Sequence, residues 1–459
     1  MSATPKLIVK NPADGSTIAE LAADGAQSIA GKYQAARAAQ PAWSASPLGE
    51  RLTTVRAFGE ALKRDVEPLS GVLTAETGKP IRQAKNEITG LLRRIDFFIE
   101  STAATIAARD VHDGDGMRER ITHEPLGVIA NISAWNYPYF VGGNVFIPAL
   151  LTGNAVLYKP SEFAAMTGLE IGRRLHASGV PPDIFTVIIG AAEAGAELLK
   201  QPIDGVFFTG SYATGQRIAN EMGPRMVKLQ LELGGKDPIY VRPDVDIAAA
   251  ATSLADGAMY NAGQSCCSVE RIYVHASIAH DFIKEFVKEV RGFKIGSPSA
   301  EDTYIGPLTR APQIDVLEQQ VADAIQKGAK VLLGGKRLPP PGNWFEPTVL
   351  IGVDHSMRVM REESFGPIIG IQTVNNDDEA VRLMNDTEYG LTAGVYSKDE
   401  QSARQILSQL NAGSVYWNCC DRVSPRLPWS GVRHSGIGLT LSTYGIETFT
   451  RPKAWHLKR

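Results

Sequence analysis

Cysteine is scarce in this 459-residue chain: it occurs four times, in two adjacent pairs, Cys266–Cys267 and Cys419–Cys420. That usage excludes a small scaffold built on disulfides, and a Cys-x-x-Cys metal motif is missing, so no metal site is expected. Charge of one sign is also lacking. Lysine and arginine number 47 against 50 acidic residues, leaving −3, which gives no electrostatic reason to expect nucleic acid or an anionic membrane as partner. Residues 1–30 have neither the basic start nor the apolar core of a secretory signal, and a reducing cytoplasm is the expected compartment. The longest stretch without charge, residues 125–158, contains Pro138, Pro148, Asn131, Asn136, Asn144 and Asn154. A lipid-exposed helix would have to tolerate all six, so the stretch is read as a buried strand, a loop, a helix and a second strand, and no membrane span is expected. Solenoid repeats and low-complexity tracts are absent as well.

What is present is an ordinary globular balance, 44% hydrophobic and 21% charged, in a chain long enough for two or three domains. Short apolar strands are predicted at 127–134, 155–158, 185–189 and 205–209, with helices at 144–151, 167–177 and 192–199 between them. Such alternation predicts a parallel sheet covered on both faces, the doubly wound platform on which dinucleotides bind. The pattern resumes after Gly234, with strands at 237–241, 271–275, 331–333 and 393–396 and helices at 247–260, 321–327 and 380–384, so a second α/β domain is expected. Residues 29–108 read as mainly helical from their apolar spacing.

Three residues stand out as carriers of chemistry. Cys266 lies in Asn261–Ala262–Gly263–Gln264–Ser265–Cys266–Cys267. A free cysteine is more often a small buried hydrophobe than a nucleophile, but a glycine just before it permits close backbone approach by a ligand. Glu232 sits between Leu231 and Leu233 and ahead of Gly234–Gly235, a setting for a partly buried carboxylate that serves either as a paired acid at a hinge or as a general base. Asn136 follows the first predicted strand, where parallel sheets deliver ligand contacts, and its amide suits an oxyanion as well as a local turn. Lys159–Pro160–Ser161–Glu162 ends a strand with groups suited to ribose and phosphate. Thr209–Gly210–Ser211–Tyr212–Ala213–Thr214–Gly215 joins a strand to a helix, a phosphate-binding arrangement, although its spacing is neither G-x-G-x-x-G nor a Walker loop.

In their order along the chain these segments resemble the aldehyde dehydrogenase superfamily. Those that carry the resemblance are Pro125–Leu126–Gly127 with Trp135–Asn136, Lys159–Pro160–Ser161–Glu162, Phe208–Thr209–Gly210–Ser211 and Leu231–Glu232–Leu233–Gly234–Gly235. Gly263–Gln264–Ser265–Cys266, Glu362–Glu363–Ser364–Phe365–Gly366–Pro367 and Ser435–Gly436 complete the set. The resemblance implies Cys266 as nucleophile, Glu232 as general base and Asn136 as oxyanion donor, each such donor being worth about 3 kcal/mol of barrier. It implies NAD as cofactor, held by Ile132, Trp135, Lys159, Ser161, Glu162, Gly210, Ser211, Gly215, Leu233, Glu363 and Phe365. Glu162 at the ribose position repels a 2′-phosphate, while Lys159 beside it softens that repulsion and leaves NADP open. The implied fold is α/β. It comprises a Rossmann-like cofactor domain (residues 1–102 and 126–233), a second α/β catalytic domain (234–442) and a small β bridging element (103–125 and 443–459). Phe449, Trp455 and Leu457 give the tail the look of an edge strand, and the resemblance implies a homodimer or homotetramer.

The chain departs from the family pattern near its C-terminus. Pro428–Trp429–Ser430–Gly431–Val432–Arg433 replaces a frequent Pro-Phe-Gly-Gly-x-Lys, and Leu439–Thr440 stands where an acidic residue is usual. These changes are read as bearing on subfamily and substrate and not on the chemistry. The substrate funnel is expected from Tyr137, Phe140, Val141, Asn144, Tyr260, Ser265, Cys267 and Arg422 in the loop 419–423, and its aromatic content predicts an apolar aliphatic or aromatic aldehyde. Asn144 and Tyr260 occupy positions where succinic semialdehyde enzymes carry arginines, which argues against that substrate; Arg422 or Arg426 is the alternative anion anchor. A CoA-acylating enzyme is the nearest rival, and Glu232 argues for hydrolysis instead. A cysteine hydrolase and a non-catalytic protein of this fold are the further alternatives.

Overall fold

Runs such as Gly205–Thr209 and Arg271–His275 are buried on both faces and bounded by turn residues, so they are stable only inside a sheet covered on both sides. The computed structural model describes residues 6–459, and it places these runs in two sheets; residues 1–5 of the expected cofactor domain lie outside the described residues. The first sheet has six strands in the order Gly436–Ile437, Lys228–Glu232, Gly205–Thr209, Val128–Ile132, Ala155–Lys159 and Phe185–Val187. All neighbours are parallel except the two-residue edge strand Gly436–Ile437, which runs antiparallel to Lys228–Glu232. The second sheet has seven strands in the order Lys330–Leu333, Thr348–Ile351, Ile368–Val374, Arg271–His275, Pro238–Val241, Thr392–Tyr396 and Ser414–Trp417. Only its first pair is antiparallel.

Each sheet has its own core. The first buries Val128, Ile129, Leu157, Phe185 and Phe207 together with the helices Ala26–Ala45, Leu48–Arg64, Val66–Thr77 and Ile81–Thr105. The second buries Ile239, Tyr240, Ile272, Val349 and Ile371. A third sheet stands apart, a hairpin of Arg109–Gly114 and Met117–Pro125 with Thr450–Lys458 on its edge. Trp455 and Leu457 lie half exposed on that edge strand, while Phe449 is fully buried and stacks on Phe207 at 4.5 Å. Phe449 is therefore an anchor just ahead of the tail strand and not a member of it. A two-stranded hairpin, Lys6–Lys10 with Thr17–Ala22, precedes the helices. Among the described residues no helix is long and apolar enough to cross a membrane.

Candidate active site

Cys266 follows a loop that few sequences would adopt. Asn261 and Ala262 both take φ of 54° and Gly263 φ of 70°, three successive residues in the left-handed region. Such backbone costs on the order of 1–3 kcal/mol for each residue other than glycine and persists where the surroundings over-determine it. Here they do. A side chain at Gly263 would put its Cβ 2.2 Å from the Gly366 carbonyl oxygen, so the space that glycine leaves is filled by the protein's own backbone and not, as expected above, by a ligand. Gln264 locks the loop, its Oε1 accepting from the Thr309 N–H at 2.9 Å and its Nε2 donating to the Asn261 carbonyl at 3.0 Å.

This loop meets the ends of two strands of the first sheet. Glu232 is the last residue of Lys228–Glu232, and beyond it Gly235 packs so closely that a Cβ there would sit 2.6 Å from the Cys266 carbonyl oxygen. Asn136, buried in the turn after Val128–Ile132, donates from Nδ2 to the Gln264 carbonyl at 3.2 Å. Cys266 and Glu232 line one cavity of about 540 Å³, which Tyr137, Phe140, Val141, Asn144, Tyr260, Ser265, Cys267 and Arg422 also line. Asn136 touches the nucleophile loop from behind that wall, and Arg426 lies outside the lining.

Burial pushes the Glu232 carboxyl up to about 7, against the hydrogen bonds it accepts from the Thr440 hydroxyl and, at 3.0 Å, from Gln230 Nε2. Thr440 is thus a direct partner of the candidate base. The expectation that the C-terminal departures do not touch the chemistry is corrected: Gly436–Ile437 pairs with the strand that carries Glu232, bringing Thr440 onto its carboxylate and Trp429 into the cavity wall. Sequence reading also missed Asp421, in the expected loop. Its Oδ1 accepts from Cys267 Sγ at 3.0 Å and from Ser265 Oγ at 3.4 Å, and burial raises it to about 7. The Cys267 thiol is held well above its ordinary value by its hydrogen bond with Cys266, by burial and by Asp421, which suits an inert neighbour. Four more ionisable residues, Glu87, Arg93, Arg94 and Asp256, line the same cavity, so it is more polar than its aromatic residues suggested. Arg94 Nη1 donates to Asn144 Oδ1 at 2.7 Å, which occupies the Asn144 amide oxygen.

The residues expected to hold a dinucleotide gather at the C-terminal ends of the first sheet's strands, where parallel sheets bind ligands. Lys159 is buried, its ammonium held among the described residues only by the Pro160 carbonyl at 3.1 Å and by Glu162 at 3.9 Å, and burial lowers its basicity. Ser161 is buried beside it, as is Ile132 at the end of its strand. The helix Tyr212–Met222 opens on Ser211 without a side-chain cap, leaving first-turn N–H groups for an anion. A Cβ at Gly210 would meet the Phe208 ring at 2.5 Å, and one at Gly215 the Leu233 side chain at 2.6 Å. Glu363 accepts from the Gly235 N–H at 3.0 Å and is raised to about 8 by burial and by the charge of Glu270. Trp135 meets Phe365 edge-on at 5.5 Å, and Phe365 holds φ of 47°. A buried ammonium short of acceptors, a part-buried carboxylate beside a glycine turn and an uncapped helix start fit the phosphates and ribose hydroxyls of a dinucleotide. Among the described residues no cluster of three or more metal-ligating side chains occurs.

Comparison with known proteins identifies the family. The family model described as "Aldehyde dehydrogenase family" matches residues 1–455. The chain is 32% identical to a chloroplastic betaine aldehyde dehydrogenase of Beta vulgaris, over 98% of this chain and 92% of the relative. It is 34% identical to the peroxisomal aminoaldehyde dehydrogenase 1 of Pisum sativum, over 90% and 83%. Among solved structures, lactaldehyde dehydrogenase from Escherichia coli superposes with a TM-score of 0.96 at 30% identity, over 100% of this chain and 97% of that one. PnpE in complex with nicotinamide adenine dinucleotide gives 0.96 at 31%, over 100% and 95%. The chain belongs to the aldehyde dehydrogenase family and is an NAD(P)-dependent aldehyde oxidoreductase.

Proposed function

We propose that this enzyme oxidises an aminoaldehyde to the amino acid through a thioester on Cys266 that water hydrolyses. The observation that carries the reading is the shared cavity: Cys266 and Glu232 face one space, Asn136 supports the loop between them, and the part-buried carboxylate of Asp421 lies beside them. The Cys266 thiolate attacks the aldehyde carbon, and the oxygen that gains charge is held by the Asn136 amide and the Cys266 backbone N–H. Of the two Asn136 amide hydrogens one serves Gln264, which leaves the other for that oxygen. Lys159, Glu162 and Glu363 would hold the dinucleotide, which when bound would supply the acceptor for hydride from the tetrahedral carbon. Collapse gives the thioester. Glu232 then takes a proton from water, the resulting hydroxide adds to the thioester carbonyl, and the acid leaves as Cys266 regains its thiolate.

The substrate class rests on Asp421. Its hydrogen-bond donors are a thiol and a hydroxyl, both neutral, and no lysine or arginine forms an ion pair with it among the described residues. A part-buried carboxylate with no ion-pair partner of its own favours a ligand that brings a cation. Arg93 and Arg422 sit exposed at the rim, where water screens them, and the rings of Tyr260 and Trp429 line the same space. The betaine aldehyde and aminoaldehyde relatives point the same way. An apolar aldehyde, expected from Tyr137, Phe140 and Tyr260, gives way because the sequence reading did not place Asp421 and Asp256 in that funnel. The two cores support separate cofactor and catalytic domains, although the first core also takes in Cys267, Leu391, Trp429 and Leu441 from the stretch expected to be catalytic and Ile446 and Phe449 from the expected bridging element. The open outer edge of Thr450–Lys458 supports pairing between subunits of a homodimer or homotetramer.

The test compares 4-aminobutanal and betaine aldehyde with hexanal and benzaldehyde, using NAD and assaying the product. The expected result is higher kcat/KM for the cationic pair, with free acid as product even when CoA is added. Preference for hexanal would overturn the substrate class, and acyl-CoA as product would overturn hydrolysis. Cys266→Ala is expected to lose turnover and keep NAD binding, and retained turnover would remove Cys266 from its role.

A further inference from the structure

The reaction proposed above makes no use of a buried ion pair beneath the site, Lys79 with Glu87. Lys79 lies in the link Gly78–Lys79–Pro80 between the helices Val66–Thr77 and Ile81–Thr105, and Glu87 lies in the second of them. Both side chains are almost wholly buried, 1% and 0% exposed, and their charged ends touch. A buried pair of this kind recovers little or no net stability after desolvation, and an apolar pair of similar volume often folds as well or better. Stability alone therefore does not account for it.

The remaining valences of the pair all go to one segment. The Lys79 ammonium has three hydrogens. Besides Glu87 Oε2 it reaches the Asn136 backbone carbonyl at 2.6 Å and the face of the Tyr137 ring at 3.8 Å from the centroid. The other carboxylate oxygen of Glu87 accepts from the N–H groups of Tyr139 at 2.8 Å and Phe140 at 3.4 Å, in the first turn of the helix Pro138–Leu151. Cation and anion thus hold the chain on both sides of the Asn136–Tyr137–Pro138 turn. Pro138 has no N–H of its own to fix that turn. Asn261 Nδ2 adds only a long contact, 3.4 Å, to the same Asn136 carbonyl.

We infer that Lys79, braced by Glu87, is a positioning residue for Asn136: by pinning the Asn136 carbonyl it aims the amide side chain at the carbonyl oxygen of the aldehyde bound to Cys266. The inference rests on the oxyanion role proposed for Asn136. A displaced donor weakens the charge-developing step and leaves Lys159, Glu162 and Glu363, which the ion pair does not contact, free to hold the dinucleotide.

The experiment is a double-mutant cycle on single-turnover NADH formation. Lys79→Met is combined with Glu87→Gln, so that no lone buried charge remains, in both the wild-type and the Asn136→Ala background. In the wild-type background the rate is expected to fall about 10- to 100-fold, with the NAD dissociation constant changed less than about twofold. In the Asn136→Ala background the same pair changes the rate less than about twofold, because the residue through which it acts is gone. Lys79→Arg keeps the ion pair and moves the donor, and it gives the same pattern with a smaller loss should the neutral Met–Gln pair not fold. Equal losses in both backgrounds, or none in the wild type, sink the positioning role alone. An Asn136→Ala enzyme as fast as wild type sinks the oxyanion assignment and the positioning role with it.

Discussion

Thr440→Val changes one hydroxyl to a methyl of the same shape and leaves its backbone bonds with Trp429, at 2.8 and 2.9 Å, in place. The hydroxyl donates to Glu232 Oε1, so its loss falls on the ionised form of the base. A hydrogen bond to a charged group is worth about 1.5–3 kcal/mol, and each pKa unit corresponds to about 1.4 kcal/mol, so the Glu232 carboxyl should rise by about 1–2 units. It starts at about 7 because burial already disfavours the charge. At neutral pH the ionised fraction then drops from about one-half to about 1–10%, and steady-state turnover limited by hydrolysis drops about 5- to 50-fold. The NADH burst that precedes hydrolysis should keep its amplitude. Profiles of steady-state kcat from about pH 6 to about pH 10 should show the variant recovering at the alkaline end, displaced as a whole from wild type. A loss that alkaline pH does not restore, or a midpoint that does not move, would refute the assignment of Glu232 as the group whose ionisation sets deacylation.

Glu232→Gln should show the NADH burst followed by a slow steady state; an unchanged steady-state rate would remove Glu232 from the mechanism. The same variant carries a stability signature. A carboxyl raised from 4.5 unfolded to about 7 folded costs stability as pH climbs between those values, about 3 kcal/mol in all, so Glu232→Gln should melt higher than wild type at alkaline pH and level with it at about pH 4. Gly234→Ala would place a Cβ 2.4 Å from the Glu363 carboxylate oxygens and should weaken NAD binding at least tenfold while leaving Cys266 reactive to a thiol reagent; an unchanged NAD dissociation constant would remove Glu363 from the cofactor site. Asp421→Asn should raise KM for 4-aminobutanal and leave that for hexanal nearly unchanged, and equal effects on both would detach Asp421 from substrate choice.

Much of the scaffold was readable because local signals agreed with tertiary demand. The strands Gly205–Thr209 and Arg271–His275 and the helix Ala192–Leu199 have the bounds read from apolar runs and their flanking turns. The strand Lys228–Glu232 escaped because Lys-Leu-Gln-Leu-Glu alternates as a half-exposed strand does, and the partner that covers it is two residues supplied from position 436. The hairpin Lys6–Ala22 escaped although Leu7–Ile8–Val9 is apolar, because it lies ahead of the alternating strands and helices and buries little; only Val9 is buried in its first strand. At the site, Cys266, Glu232 and Asn136 announced themselves through their glycine and strand-end settings. Lys79, Glu87 and Asp421 did not, since a lysine before a proline, a glutamate on a long helix and an aspartate in a loop ordinarily face water. Only the packing of three distant segments turns them inward. Thr440 was visible as a departure from pattern, but its meaning depended on the turn that brings it onto Glu232.

That turn has a consequence for how the enzyme comes into being. A chain stopped at residue 425 would possess Cys266, Glu232 and Asn136, and would still leave the strand bearing Glu232 with a raw edge, its carboxylate short of the Thr440 donor and the pocket without its Trp429 wall. During synthesis Cys266 is therefore made well before Thr440, and the Glu232 carboxylate gains its hydroxyl partner only once the segment from Trp429 to Thr440 has folded onto the first sheet.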